Sequence, residues 1–306
     1  MKRFITLFAA ALAAALTLSA REASDPTPAQ TETKEYHLSG FSGLDVSYTY
    51  HVELTRSNRY LVTVESPDFL VPFLQVDVRD GNLRLAMSDL PRDIRRRMDT
   101  GHYKLRAIVH MPELNVVRMS GASKIESVGE FAARKTFRAI LSGATNASGI
   151  SMRATEAEIE CSGASKLSLK GDFDRVNAGV SGSSTVNLDV NAKDARMGLS
   201  GASRIDCSGK FSRMNVEASG ASVFSQSGQL GELTAGGSGA AKIHTDKAAA
   251  NNARIKLSGA ASAVVDVQNE MSVSLSGASS LRYRANDRLR ITDQNVSRAS
   301  SISSFR

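Results

Sequence analysis

Tryptophan is missing from this 306-residue chain, and phenylalanine and tyrosine together make up only 6% of it. Lysine and arginine are scattered along the chain, so it lacks the basic face with interleaved stacking rings that nucleic-acid binding uses. The formal charge of +7 falls to +5 once the first twenty residues, with Lys2 and Arg3 and no acid, are set aside. That mild basicity reads as a solvated surface. Cysteine is equally scarce, with only Cys161 and Cys207 present. The repeat that runs through the chain sets them two coils apart, which at a strand spacing of about 4.8 Å exceeds the ~7 Å limit for bridged Cα atoms. Both are expected to be buried, unpaired small hydrophobes.

Other absences narrow the chemistry. His37, His51, His102, His110 and His244 form no i, i+4 pair and no Cys/His spacing, which argues against a zinc site. No Gly-Gly-x-Gly-x-Asp period of a calcium roll occurs, and no phosphate-cradling glycine loop either, because the glycines belong to the repeat. Asp172, Asp174, Asp189, Asp194 and Asp206 fall in different phases of that repeat. They read as solvated loop residues, not as the paired acid and base of a glycan-cleaving site. Arg92 to Arg97 is the densest charge cluster and reads as a solvated loop.

The one apolar run, Phe4 to Leu18, follows Lys2 and Arg3 and precedes the small residues Ser19 and Ala20, so residues 1–20 read as an export signal. The next residue is Arg21 and not cysteine, so no lipid anchor is expected. Nothing later is long and apolar enough to span a membrane. Residues 21–35 begin with a Pro-, Thr- and Ala-rich stretch and are expected to be a flexible leader.

What the sequence does have is repetition. Ser-Gly-Ala-Ser or a close variant begins at Ser120, Ser142, Ser162, Ser181, Ser200, Ser219, Ser238, Ser258 and Ser276, each followed by its glycine: Gly121, Gly143, Gly163, Gly182, Gly201, Gly220, Gly239, Gly259 and Gly277. The spacings are 22, 20, 19, 19, 19, 19, 20 and 18 residues, and a degenerate tenth copy begins at Ser297. A period near twenty marks a solenoid, in which one coil cannot bury its apolar face alone.

The register can be tested position by position. Five residues after each serine stand Ile125, Ala147, Leu167, Val186, Ile205, Phe224, Ile243, Ala263 and Leu281, all apolar. The position one before the serine is never charged, and the position three before is always apolar; Lys124, Lys166, Arg204 and Lys242 stand four after it. A period of two within a strand and about nineteen between strands stacks equivalent strands in parallel. The expected fold is all-β: a right-handed parallel β-helix, or β-solenoid, with 19–20 residues per coil and the small residues in columns at a tight corner. A second glycine at Gly129, Gly171, Gly209 and Gly228 marks another corner. Residues 115–306 form this regular part. Residues 36–114 form an irregular β region, with strand alternation around Asp80-Gly81 and non-strand excursions at 67–72 and 88–102.

Phe41-Ser42-Gly43-Leu44-Asp45-Val46, Val52-Glu53-Leu54, Val62-Thr63-Val64-Glu65, Met111-Pro112-Glu113-Leu114 and the repeated Ser-Gly-Ala resemble the bacterial family known as "putative auto-transporter adhesin, head GIN domain". The resemblance runs over residues 36–285 and implies an exported, mostly parallel β-helical protein without assigned activity, found in Bacteroidetes and other Gram-negative bacteria. It supplies no catalytic residues. The extra repeats imply a longer rod.

A stack of Ser, Thr, Ala and Asn side chains suits a non-enzymatic binding or adhesion module, acting through many weak contacts in the periplasm or at the cell surface. Glycans or envelope proteins are the expected partners, with no nucleic acid and no cofactor. The alternatives are a structural envelope protein that self-associates through the open end of the coil and a polysaccharide-processing enzyme.

Overall fold

A computed structural model describes residues 30–101 and 103–306. The expected export signal, the leader up to residue 29, and His102 lie outside the described residues. The chain runs β1 (Thr31–Glu35), β2 (Gly43–Val46), β3 (Tyr50–Arg56), β4 (Leu61–Pro67), a 3₁₀ helix (Asp68–Phe73), β5 (Leu74–Arg79), β6 (Asn82–Met87), α1 (Arg92–Gly101), β7 (Leu105–Met111), β8 (Val116–Met119), β9 (Lys124–Val128) and β10 (Glu130–Ala132). The coils then become regular: β11 (Thr136–Leu141), β12 (Asn146–Arg153), β13 (Glu156–Cys161), β14 (Lys166–Val180), β15 (Thr185–Leu199), β16 (Arg204–Ala218), β17 (Val223–Gly237), β18 (Lys242–Leu257), β19 (Ser262–Leu275), β20 (Ser280–Arg284), β21 (Arg290–Val296) and β22 (Ser301–Phe305).

Successive coils pair in parallel and nearly in register, as in Val186 beside Ile205 and Leu199 beside Ala218, and together make a β-solenoid of about ten turns. Each coil has three faces. The first begins four residues after the motif serine, a short second one follows the glycine corner, and the third leads up to the next serine. The 15-residue strands β14 to β17 are therefore bent around a corner, held by glycine in β14, β16 and β17 at Gly171, Gly209 and Gly228, where φ is +157°, +126° and +109°, and by Val190 in β15. Alternate residues of every face point inward. The columns of Ile125 to Leu281, Met119 to Leu275 and Val117 to Val273 are buried from first to last. Each buried Val, Leu, Ile, Phe or Met contributes about 1.5–3 kcal/mol, which is how a rod without tryptophan holds one continuous core. Cys161 and Cys207 are free and buried in it.

The N-terminal coils stack out of chain order. β2 lies between β6 and β8, and β3 between β7 and β9, all parallel, so residues 43–56 are sandwiched between two later segments. Beyond β6 and β7 the pairing turns antiparallel: β5 joins β6 through the Asp80-Gly81 turn, β4 pairs with β7, and β1 pairs with β4. Three expectations need correction. Thr31–Glu35, expected in a flexible leader, is a strand because its backbone finds an open edge on β4. Arg92 to Arg97 lies on helix α1, not on a loop: Ile94 and Met98 pack on the core, and the Arg97 guanidinium sits 4.0 Å from the centre of the Phe69 ring. The five aspartates stand on outward faces of strands, not on loops, and each has a partner.

Candidate functional site

The motif glycines form a vertical column. From Gly121 to Gly277 all nine have φ between +67° and +77°. A Cβ built on Gly182 would lie 2.5 Å from the Gly163 carbonyl oxygen, and one on Gly143 would meet that of Gly121 at the same distance. From Gly143 onward the amide that follows each glycine donates to the carbonyl of the glycine one coil back, as Ala202 N does to Gly182 O at 2.9 Å. Only glycine combines that φ with that approach.

The serines divide their work. In several copies the first hydroxyl donates to a carbonyl one coil back, as Ser142 Oγ does to Met119 O at 3.3 Å and Ser219 Oγ to Leu199 O at 3.2 Å. The fourth residue is buried: Ser123 Oγ donates to Ser120 O at 3.1 Å and Ser203 Oγ to Val180 O at 3.1 Å. The bonds go to carbonyls more than from serine to serine. This corner is a structural spine, and its polar groups are turned to the backbone.

Two features escaped the sequence. Ser47-Tyr48-Thr49-Tyr50 is a further copy of the corner, beneath Gly121. Tyr48 takes the glycine position at φ +70°, Ala122 N donates to Tyr48 O at 2.7 Å, and Tyr50 fills the buried fourth position. The buried Leu44, Val46 and Val52, at three before, one before and five after Ser47, were the available signal. At the other end, Arg298 stands in the glycine position without positive φ, and Ser300 Oγ donates to Gly277 O at 3.1 Å.

Outward-facing chemistry collects at the second corner. A trough of about 1100 Å³ runs along the rod there, floored by the edges of Phe173, Phe211 and Leu230. One wall is a single column, Asp172, Asn191, Lys210 and Gln229, one residue per coil. Asn191 Nδ2 donates to Asp172 Oδ1 at 2.8 Å, and its Oδ1 accepts from Lys210 N at 3.0 Å. The other wall carries Lys193, held 2.8 Å from Asp174 Oδ1, and Arg213, whose Nε donates to Asp194 Oδ1 at 2.6 Å. The Asp174 hydrogen bond raises the Lys193 ammonium, and the Arg213 bond holds the Asp194 carboxyl below the usual carboxylate range. The side chains of Lys210, Gln229, Asn251 and Asn252 make no hydrogen bond or ion pair among the described residues.

Several titratable groups elsewhere are paired structurally. Arg106 clamps Glu53 through two bonds of 2.7 Å and reaches Glu65 at 3.1 Å, while His51 Nε2 lies 3.2 Å from Glu126. His37 lies 3.8 Å from Glu35, and His110 and His244 stand on the separate strands β7 and β18. Among the described residues no group of three metal-ligating side chains occurs. Burial pushes the Cys161 thiol up to about 12 and raises that of Cys207 further, so neither is a nucleophile. No helix of the described residues is long and apolar enough to cross a membrane.

A family model described as "Putative auto-transporter adhesin, head GIN domain" matches residues 40–190 and residues 185–286. No curated protein matches the chain. Among solved structures, a "putative adhesin" from Parabacteroides distasonis aligns with a TM-score of 0.50 and 14% identity, covering 90% of this chain and 97% of that one. A "putative adhesin" from Parabacteroides merdae gives 0.48 at 14% identity, again over 90% and 97%. A "putative lipid binding protein" from Parabacteroides distasonis gives 0.46 at 13% identity over the same shares. At 14% identity the likeness to the first of these concerns the fold alone.

Proposed function

Because the chain belongs to the family described as "Putative auto-transporter adhesin, head GIN domain", we propose that it is an exported, non-enzymatic binding module whose ligand lies along the second-corner trough. The reading rests on one observation: Asp172, Asn191, Lys210 and Gln229 repeat a hydrogen-bonding side chain at every coil, and the side chains of Lys210 and Gln229 have no partners among the described residues. A row with a spacing of ~4.8 Å suits an extended polymer with a repeated polar group, a glycan chain before a protein segment. Each contact is weak, and affinity comes from their number. The module acts at the cell envelope, in the periplasm or at the surface, without cofactor or bond-breaking chemistry.

The test is a glycan and envelope-protein array probed with the full chain, then titration of the best hit. Replacing Lys210 and Gln229 together by alanine is expected to weaken binding at least about tenfold, the effect of ~1.4 kcal/mol, with an unchanged circular dichroism spectrum. Binding that survives this double substitution, or no binding to any member of the array, overturns the reading.

A further inference from the structure

The third face carries a pattern of which the trough touches only the outermost edge. Its outward residues form three columns, two, four and six positions before each motif serine. In the nearest column, reading up the rod, come Glu160, Gly179, Gly198, Glu217, Gly236 and Lys256. The glycines leave a shallow depression of about 920 Å³ that runs from Ile140 to Ser258. Glu160, Glu217, Arg254 and Lys256 border it and form no salt bridge among the described residues. Acids therefore stand at one end and bases at the other, with Glu217 beside bare backbone in the middle.

We propose that two copies of this chain pack side by side and antiparallel through this face. Consider a two-fold axis that runs along the strands, midway between the coils of Gly198 and Glu217. It sets Glu160 against the second copy's Lys256, Glu158 against its Arg254, and Glu217 into the hollow over its Gly198. In the outermost column Arg175 meets the second copy's Glu232, and Asp194 meets its Arg213. No like charges meet across these six coils. An isologous contact must be self-complementary in this way.

The register is specified as well as the orientation. A shift of one coil one way sets Arg196 and Asp194 against their own copies and Arg175 against Arg213. A shift the other way sets Glu217 and Arg213 against themselves and Asp194 against Glu232. A parallel arrangement about the rod axis sets Glu158, Arg196 and Arg254 each against its own copy. Like charges brought together in this way select against the wrong pairing. Ten coils at ~4.8 Å, with about five residues across at ~3.3 Å each, give a flat face of roughly 800 Å², a standard share per partner. The second-corner trough stays at the edge of such a dimer and shares Arg213, Glu232 and Asn252 with it, but Glu160 and Lys256 do not line the trough and Lys210 and Gln229 lie outside the dimer face, so the two proposals fail separately.

Sedimentation velocity of the full chain over a concentration series tests the dimer. A dimer populated by about 10 μM is expected, weakening with salt as screening shortens the reach of its charges. Glu160→Lys should raise the dissociation constant at least tenfold, and Glu160→Lys with Lys256→Glu should restore it to within about threefold, since the swapped charges again face opposites. Both positions are exposed, and circular dichroism checks that the variants fold. A monomer at every concentration, assembly indifferent to Glu160→Lys, or a double variant no better than the single one overturns the proposal.

Discussion

The regular coils and the N-terminal rungs are built from the same parallel strands, yet they are held together differently. From Asn146 to Leu275 each coil rests on the one that precedes it in the chain, and its corner is sealed by glycine against glycine. In the N-terminal region the rung of residues 43–56 rests on a segment made later, its Tyr48 does the work of a glycine, and antiparallel strands close the end. A one-dimensional stack depends on contacts between neighbours. The N-terminal region depends on long loop closures, which makes it the part with the slower, non-local folding problem. The comparison teaches that the repeat need not be locally visible for its geometry to persist.

The largest effect that sharpens this contrast comes from two glycines with nearly the same φ. Gly182 has φ +69° and Gly81 has φ +73°, but a Cβ on Gly182 would meet the Gly163 carbonyl at 2.5 Å while one on Gly81 would meet nothing within 4 Å. Gly81→Ala should cost only the left-handed backbone term, about 1 kcal/mol, whereas Gly182→Ala adds steric displacement of a neighbouring coil for about 3 kcal/mol in total. Urea unfolding measures both. Equal costs would mean that the glycine column is a matter of backbone propensity and not of stacking.

That same column explains what could be read in advance. The stack was legible because inward positions recur every nineteen or twenty residues and glycine marks each corner. The corner at Ser47 was hidden because Tyr48 and Tyr50 stand where glycine and serine would announce it, though Leu44, Val46 and Val52 keep the phase. The order of the N-terminal rungs was not legible at all: β2 and β6 share the same alternation, and nothing local says which lies below. The trough and the complementary third face were hidden for a different reason. Asp172, Asn191, Lys210 and Gln229 are nineteen residues apart, and their common column matters only once the coils are superposed.

A smaller effect concerns pH. In the N-terminal region the Arg106 hydrogen bonds hold the Glu53 carboxyl below its usual range, with desolvation working against them. A carboxylate depressed in the folded state stabilises the fold above its unfolded value, and that contribution is lost as pH falls through the lower folded value. The side chains are about 40% exposed, so screening keeps the effect modest. Protection factors against amide exchange in β3, β4 and β7, taken relative to the intrinsic rate at each pH, should therefore fall several-fold as pH drops below the ordinary glutamate range, and Arg106→Met should flatten that dependence. If β14 to β17 lose protection to the same degree in the same window, the Arg106 clamp is not what distinguishes the two regions.

The smallest expected change separates two serines of one buried column. Ser203 Oγ donates to Val180 O at 3.1 Å, whereas the buried Ser222 Oγ one coil on has no partner among the described residues. The next two members of the column are the fully buried Ala241 and Ala261, so alanine already fits there. Removing a hydroxyl that is hydrogen-bonded costs about 1 kcal/mol, while removing one that is buried and unpaired is neutral or favourable by a similar amount. Ser203→Ala should accordingly lower the melting temperature by a few degrees and Ser222→Ala should leave it unchanged or raise it. Were the two to fall together, the hydroxyls would be acting through the packing of the column, and the backbone bonds would be incidental to why serine recurs there.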